Sequence, residues 1–311
     1  MTTAAPFYHE VAKGPASAHA LWARASDGVR LRLAVWPEGS KGTVLLFPGR
    51  TEYVEKYGLV AGDLADMGYA TIAIDWRGQG LADRLLDDRN AGHVIHFTNY
   101  QRDVAVLLAT ARDQGLPEPY YLLAHSMGGC IGLRSLIEGL PVKTAIFSAP
   151  MWGIAVSGAM RPVAWTMAWG ARWLHQGHRY TPGTKSETYV NQFAFEGNVL
   201  TTDPDQYAYM QAQVTAHPEL SLGGPSMHWL YEALTETRRL ARKPAPSVPV
   251  VTFLGSNERV VDPGPVHTRM AYWPSGELAL LEGAEHEVLM EVPAIRDHVL
   301  ERIKSQFAAY P

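Results

Sequence analysis

The chain has 311 residues, 47% of them hydrophobic and 19% charged, with a net charge of −4. That composition excludes a disordered chain, and the acidic balance gives no basic surface for nucleic acid. A single cysteine, Cys130, excludes an intrachain disulfide and a thiolate metal cluster, and fits a reducing, cytoplasmic setting.

At this length one large α/β domain, or a core with an inserted subdomain, is expected. The opening segment MTTAAPFYHEVAKGP lacks a basic patch followed by an apolar core, so it does not read as a secretory leader. The nearest approach to a membrane span, residues 151–173, has Arg161 in its middle. An arginine there costs roughly 2.5–3.5 kcal/mol on insertion scales, so the segment is expected to pack on protein or to touch a membrane surface.

In chain order, the first strand-like run is VRLRLAVWP (29–37), whose alternation predicts a half-exposed strand. GTVLLFPG (42–49), YATIAIDW (69–76), YYLLAHS (120–126), KTAIFSAP (143–150), VPVVTFLG (248–255) and ELALLEGAEH (277–286) follow. These are nearly continuously apolar, as strands buried on both faces of a parallel sheet are. Stretches of helical period separate them: YVEKYGLVAGDLADMG, NYQRDVAVLLATARDQG and GGCIGLRSLIEGL. Strand and helix alternating through short links predicts a doubly wound α/β sheet, with its chemistry at the carboxyl ends of the strands.

The rhythm breaks between residues 151 and 245, where amphipathic segments at 160–175 and 226–242 and five tryptophans, Trp152, Trp165, Trp169, Trp173 and Trp229, replace strands. We expect a core of residues 1–150 and 246–311 and a helical cap of residues 151–245 over the strand ends.

Ser126 stands directly after a buried strand and before a helix opened by Gly128 and Gly129. Strand, tight turn and helix are the context of a nucleophile elbow, G-x-S-x-G. Here Ala124 takes the first glycine position and adds one methyl group to a crowded turn. The competing role is an N-cap serine for the following helix. A serine hydroxyl needs a base and a stabilised oxyanion to act as nucleophile. The oxyanion donors expected are the backbone N–H of Met127 and one from the loop FPGRTEY, where Pro48 has no N–H and Arg50 is the better placed donor, ahead of Thr51.

For the base, three histidines follow the last domain link, His267, His286 and His298. His286 alone sits in a short loop after a strand; the other two fall in amphipathic helices. The loop SNERVVDPGP offers two carboxylates to orient it, Glu258 and Asp262. Asp262 precedes Pro263 and suits a helix N-cap. Glu258 lies closer to the strand end and is favoured, with Asp262 as the alternative acid.

Taken together, FPGRTEYVEKY, IDWRGQGLADR, AHSMGG, GSNERVVDP and GAEHEVLME resemble the α/β-hydrolase superfamily, and within it the monoacylglycerol lipase and lysophospholipase branch. The resemblance implies an α/β-hydrolase fold with a mostly parallel sheet and a helical cap inserted after the sixth strand. It also implies a serine hydrolase of carboxylic esters with a triad of Ser126, His286 and Glu258, the glutamate replacing the branch's usual aspartate. No metal or organic cofactor is required. The glycines of IDWRGQG, Gly78 and Gly80, read as turn residues, with Arg77 as a stabiliser of neighbouring loops.

The expected substrate is a single-acyl-chain lipid, a lysophospholipid or a monoacylglycerol. Hydrophobic non-lipid esters are the second reading, and a non-catalytic pocket for an apolar ligand the third. Trp165, Trp169 and Trp173 recur every fourth residue; packing inside the cap is the default expectation for such a stripe. The sharper one is that part of the stripe lines an acyl-chain tunnel or meets a lipid surface, giving peripheral membrane contact.

Overall fold

The computed structural model describes residues 2–155 and 160–311, and the side chain of Arg161 lies outside what is described. The chain opens with strand β1 (Thr3–Ala5), helix α1 (His9–Ala12), and strands β2 (His19–Arg24) and β3 (Arg30–Trp36). Then come β4 (Thr43–Phe47), α2 (Gly58–Asp66), β5 (Ala70–Asp75), α3 (Tyr100–Asp113), β6 (Tyr120–His125), α4 (Met127–Ile137) and β7 (Ala145–Ser148). Four helices lie between β7 and the next strand: α5 (Arg161–Trp173), α6 (Tyr189–Gln192), α7 (Pro204–Ala216) and α8 (Met227–Ala241). The chain closes with β8 (Val250–Gly255), α9 (Pro263–Met270), β9 (Gly276–Leu281) and α10 (Pro293–Ala309).

The nine strands form one sheet in the order β1-β2-β3-β5-β4-β6-β7-β8-β9. Every pairing from β5 to β9 is parallel, whereas β1, β2 and β3 join it antiparallel. Residues of β4, β6 and β7 are buried throughout, because helices cover both faces. This is the α/β-hydrolase fold.

Three expectations are corrected. The N-terminal strands β1 and β2 were not anticipated; β1 is three residues long and β2 mixes polar with apolar side chains, so neither has a strong pattern. Strand β3 is not half-exposed: Leu31 to Trp36 are all buried, and Arg32 is satisfied by ion pairs at 2.7 Å to Glu55 and Asp75. Polar–apolar alternation misleads where the polar partner is itself buried. Strand β9 is an edge strand, with Leu280 at 59% exposure, so an apolar run did not mean burial on both faces.

The helical insertion follows β7, the sixth strand when the three-residue edge strand β1 is set aside. Helix α8 joins the main core through Trp229, Ala233 and Leu240. Helices α6 and α7 contribute Val190, Tyr207, Met210 and Val214 to a separate, smaller apolar cluster that includes Tyr53 and Met290 from the sheet-end loops. Helix α5 is held more lightly. Its Trp165 packs edge-on against Tyr231 of α8 at 5.4 Å. Trp169 and Trp173 are 54% and 74% exposed, so the stripe is not internal packing of the insertion.

Candidate active site

Ser126 takes the sharp turn between β6 and α4 with φ 49° and ψ −116°. A non-glycine residue in that region is strained by about 1–3 kcal/mol, so its neighbours must hold it. They do: its N–H donates to the Ser148 carbonyl at 3.0 Å, and its own carbonyl accepts from Gly129 and Met151 at 2.9 and 2.8 Å. Glycines let the helix come this close. A Cβ on Gly128 would lie 2.1 Å from the Phe47 carbonyl oxygen, and one on Gly129 would lie 2.5 Å from Pro150. The extra methyl of Ala124 is accommodated one turn along α4 at Gly132, where any Cβ would sit 3.3 Å from it.

The Ser126 side chain makes no capping bond to α4. Its Oγ lies 2.9 Å from His286 Nε2 instead, which overturns the N-cap reading. His286 Nδ1 meets Glu258 Oε2 at 2.7 Å, so Nδ1–H donates to the carboxylate and Nε2 is left to accept the serine proton. Glu258 is fixed by its second oxygen, which accepts from the N–H groups of Val260 and Val261 at 2.7 and 2.9 Å. Burial would raise its pKa, but the facing imidazole and these two N–H groups hold it below the ordinary carboxylate value. Asp262 instead caps α9, accepting from the Gly264 N–H at 3.0 Å. His267 and His298 are both exposed on helices.

The acid and base loops can touch because β8 ends in Gly255, where a Cβ would fall 2.3 Å from the Ala284 carbonyl. Neither glutamate beside His286 orients it. Glu285 pairs with Arg259 at 2.6 Å, and Glu287 is taken by Lys56 at 2.7 Å.

Across from Ser126, the N–H of Gly49 donates to Glu52 and that of Thr51 to Gln79 at 3.3 Å. Among the described residues, the N–H groups of Arg50 and Met127 donate to none. These are the two N–H groups expected to serve as the oxyanion pair.

Along the same cavity as the serine lies a buried cluster that the sequence reading missed: Glu52, Lys56, His125 and Glu287. Part of its signal was there: His125 precedes Ser126, Glu287 follows His286, and Glu52 stands two residues after Arg50. The carboxylates of Glu52 and Glu287 and a His125 nitrogen are close enough to share a cation. The Lys56 ammonium, bonded to both glutamates, supplies that positive charge.

Ser126 and His286 open into a cavity of about 390 Å³. The insertion walls it with Val190, Leu200, Met210, Val214 and Trp229. Trp165, Trp169 and Trp173 are not among the lining residues described, which corrects the expectation that they form an acyl tunnel. Arg50 lines the cavity too; it donates to the Gly223 carbonyl at 2.8 Å and lies 5.7 Å from the Trp229 ring. Burial lowers its pKa to about 10, and among the described residues it has no carboxylate partner. Among the described residues no helix is long and apolar enough to cross a membrane.

The family model described as serine aminopeptidase, S33, matches residues 38–293. Lysophospholipase L2 of Escherichia coli K12 is 31% identical over 274 residues, covering 85% of this chain and 79% of that protein. A probable lysophospholipase L2 of Haemophilus influenzae is 28% identical, covering 88% and 86%. A soluble variant of monoglyceride lipase from Saccharomyces cerevisiae, solved with a substrate analogue, superposes with a TM-score of 0.72 over 93% of this chain and 94% of its own, at 20% identity. With the family model spanning most of the chain and the fold shared across it, this protein belongs to the serine aminopeptidase S33 family of α/β hydrolases.

Proposed function

We propose that this protein is a serine hydrolase that cleaves the ester of a lysophospholipid, with Ser126 as nucleophile, His286 as base and Glu258 as the acid that orients it. The observation that carries the reading is the unbroken relay Ser126 Oγ–His286–Glu258, at 2.9 and 2.7 Å, on the floor of an apolar-walled cavity. The serine hydroxyl attacks the ester carbonyl carbon while His286 takes its proton. Negative charge then gathers on the carbonyl oxygen between the Arg50 and Met127 N–H groups, and such a donor is worth roughly 10²–10³ in rate. His286 returns the proton to the departing glycerol oxygen, and a water activated by the same histidine hydrolyses the acyl-enzyme.

The apolar wall suits one acyl chain, and the Arg50 charge, with no carboxylate to neutralise it among the described residues, suits a phosphate-bearing headgroup. The names of the two bacterial relatives point the same way. Peptide hydrolysis from a free amino end is less well supported. The carboxylates that line the cavity, Glu52 and Glu287, are both bound to Lys56 and so are not left to receive an ammonium group. The insertion acts as the cap that selects the chain. Helix α5, with Trp169 and Trp173 outward, Arg172 beside them and no acidic residue, rests on an anionic lipid surface.

The test is a panel of lysophospholipids and monoacylglycerols at matched chain length, with Ser126→Ala as control. Preferred turnover of lysophospholipid, abolished in the variant, is expected. Equal or better turnover of monoacylglycerol would move the headgroup assignment, and full activity of the alanine variant would remove the mechanism.

A further inference from the structure

The turn after β5, Asp75 to Gly80, makes repeated contact with the loop that carries the oxyanion donor. Trp76 Nε1–H donates to the Pro48 carbonyl at 2.9 Å, and the Val54 N–H donates to Asp75 Oδ1 at 2.9 Å. Between these two anchors lies Gln79, only 2% exposed. Its Nε2 donates to the Gly49 carbonyl at 3.0 Å, and its Oε1 accepts from the Thr51 N–H at 3.3 Å. One carboxamide therefore grips the chain on either side of Arg50.

That grip has a geometric consequence. In a trans peptide the carbonyl of residue 49 and the N–H of residue 50 point in opposite directions. Pulling the Gly49 carbonyl toward Gln79 turns the Arg50 N–H the other way, into the cavity. The arrangement is not one the loop would choose alone. Thr51 sits at φ 70°, a rare conformation for a β-branched residue, and such strain persists only where surrounding structure over-determines it. Gln79 itself is presented by two left-handed glycines, Gly78 and Gly80, at φ 81° and 48°. A Cβ on Gly80 would fall 2.2 Å from the Asp75 carboxylate, so the turn is committed to this shape. Gln79 does not line the cavity, so it reaches the substrate only through the Gly49–Arg50 peptide.

We propose that Gln79 is a positioning residue for catalysis, holding the Gly49–Arg50 peptide so that the Arg50 N–H points at the oxyanion. This rests on the hydrolase reading above. The experiment compares Gln79→Met, which keeps the volume and loses both bonds, with Gln79→Glu, which keeps an acceptor for Thr51 and sets an oxygen against the Gly49 carbonyl. Turnover is measured per active site titrated with a fluorophosphonate probe. Affinity is measured for a trifluoromethyl ketone analogue and for a non-electrophilic ether analogue.

Both variants are expected to lose about 10- to 100-fold in kcat, up to the cost of removing an oxyanion donor, with KM within about threefold. Affinity for the trifluoromethyl ketone, which forms an oxyanion, should fall by the same factor while affinity for the ether holds. A merely structural role would lower the titre of active sites and leave kcat per site unchanged, and that result would overturn the proposal. Should the methionine variant not fold, the isosteric glutamate variant decides by the same criteria. Failure of the probe to label wild-type Ser126 would overturn the hydrolase reading and this role with it. Labelled wild type with unaffected variants would overturn the Gln79 role alone.

Discussion

His125 and Glu287 face each other at 3.3 Å, Nε2 to Oε2, and each adjoins a member of the proposed triad, one preceding Ser126 and the other following His286. The other ring nitrogen of His125 lies 3.1 Å from the Ser148 carbonyl and 3.0 Å from its hydroxyl. A carbonyl only accepts, so a carboxylate on one side and a carbonyl on the other both favour the protonated ring. Burial pulls the His125 pKa down, but Glu287 and Glu52 more than reverse this and raise it above 6.5, against the opposing charge of Lys56. The His286 ring, 4.8 Å away, also faces it. A raised folded-state pKa contributes stability that is complete below about 6.5 and is lost as pH rises through the folded value. The wild type is therefore expected to lose a few degrees of melting temperature on the alkaline side, at roughly 2–4 °C per kcal/mol. His125→Gln should flatten that limb. Parallel slopes for the two proteins would count against a charged His125.

Glu258 and Asp262 are separated by their partners, not by their chemistry. Glu258 meets His286, and Asp262 holds the first turn of α9. Glu258→Gln keeps the shape but reverses the hydrogen-bond requirement at Nδ1, and a loss of roughly 10³–10⁴ in kcat is expected by analogy with other triads. Asp262→Asn should leave turnover within about twofold, since Asp262 caps a helix and Glu258 is the carboxylate that meets His286. Steady-state kinetics of the two variants checks this; a large kcat loss in the Asp262 variant would reverse the assignment.

The proximity of Ser126, His286 and Glu258 was legible because each follows the carboxyl end of a strand whose apolar run is unmistakable. The buried charges were not. Arg32 alternates with apolar neighbours and mimics a solvated position, yet its ion pairs with Glu55 and Asp75 come from residues 23 and 43 places along the chain. Gln79 looked like part of a turn, because its task depends on a loop 30 residues upstream. Long-range polar pairing has no periodic signature. Helix α5 failed for a different reason: spacing puts Trp165, Trp169 and Trp173 near one another on the helix, but only packing decides which of them α8 covers.

Arg50 supplies a separable test of headgroup choice. Arg50 lines the cavity and its side chain has no carboxylate partner among the described residues, while its backbone N–H is the proposed oxyanion donor. Arg50→Met keeps the backbone donor and removes the charge. A charge-assisted bond to phosphate is worth roughly 1.5–3 kcal/mol, so the preference for lysophospholipid over monoacylglycerol should fall about 10- to 100-fold in kcat/KM. An unchanged ratio would place phosphate recognition elsewhere.

Trp169 and Trp173 give the remaining prediction. Exposed tryptophans in water are a liability that a lipid surface removes, and Met167 on the same helix and Leu174 directly after it are 44% and 64% exposed. At about 25 cal/mol per Å² of apolar surface, losing even ~60 Å² of contact is worth roughly 1.5 kcal/mol, a tenfold change in partitioning. The Trp169→Ser/Trp173→Ser double variant is therefore expected to bind anionic vesicles about tenfold more weakly or worse. Because neither side chain lines the cavity, hydrolysis of a short, monomeric ester should stay within about twofold, while hydrolysis of substrate presented in vesicles falls with binding. Vesicle co-sedimentation alongside kinetics on both substrate forms separates the effects. Equal losses on the monomeric ester would mean that α5 shapes the cavity and not the docking surface.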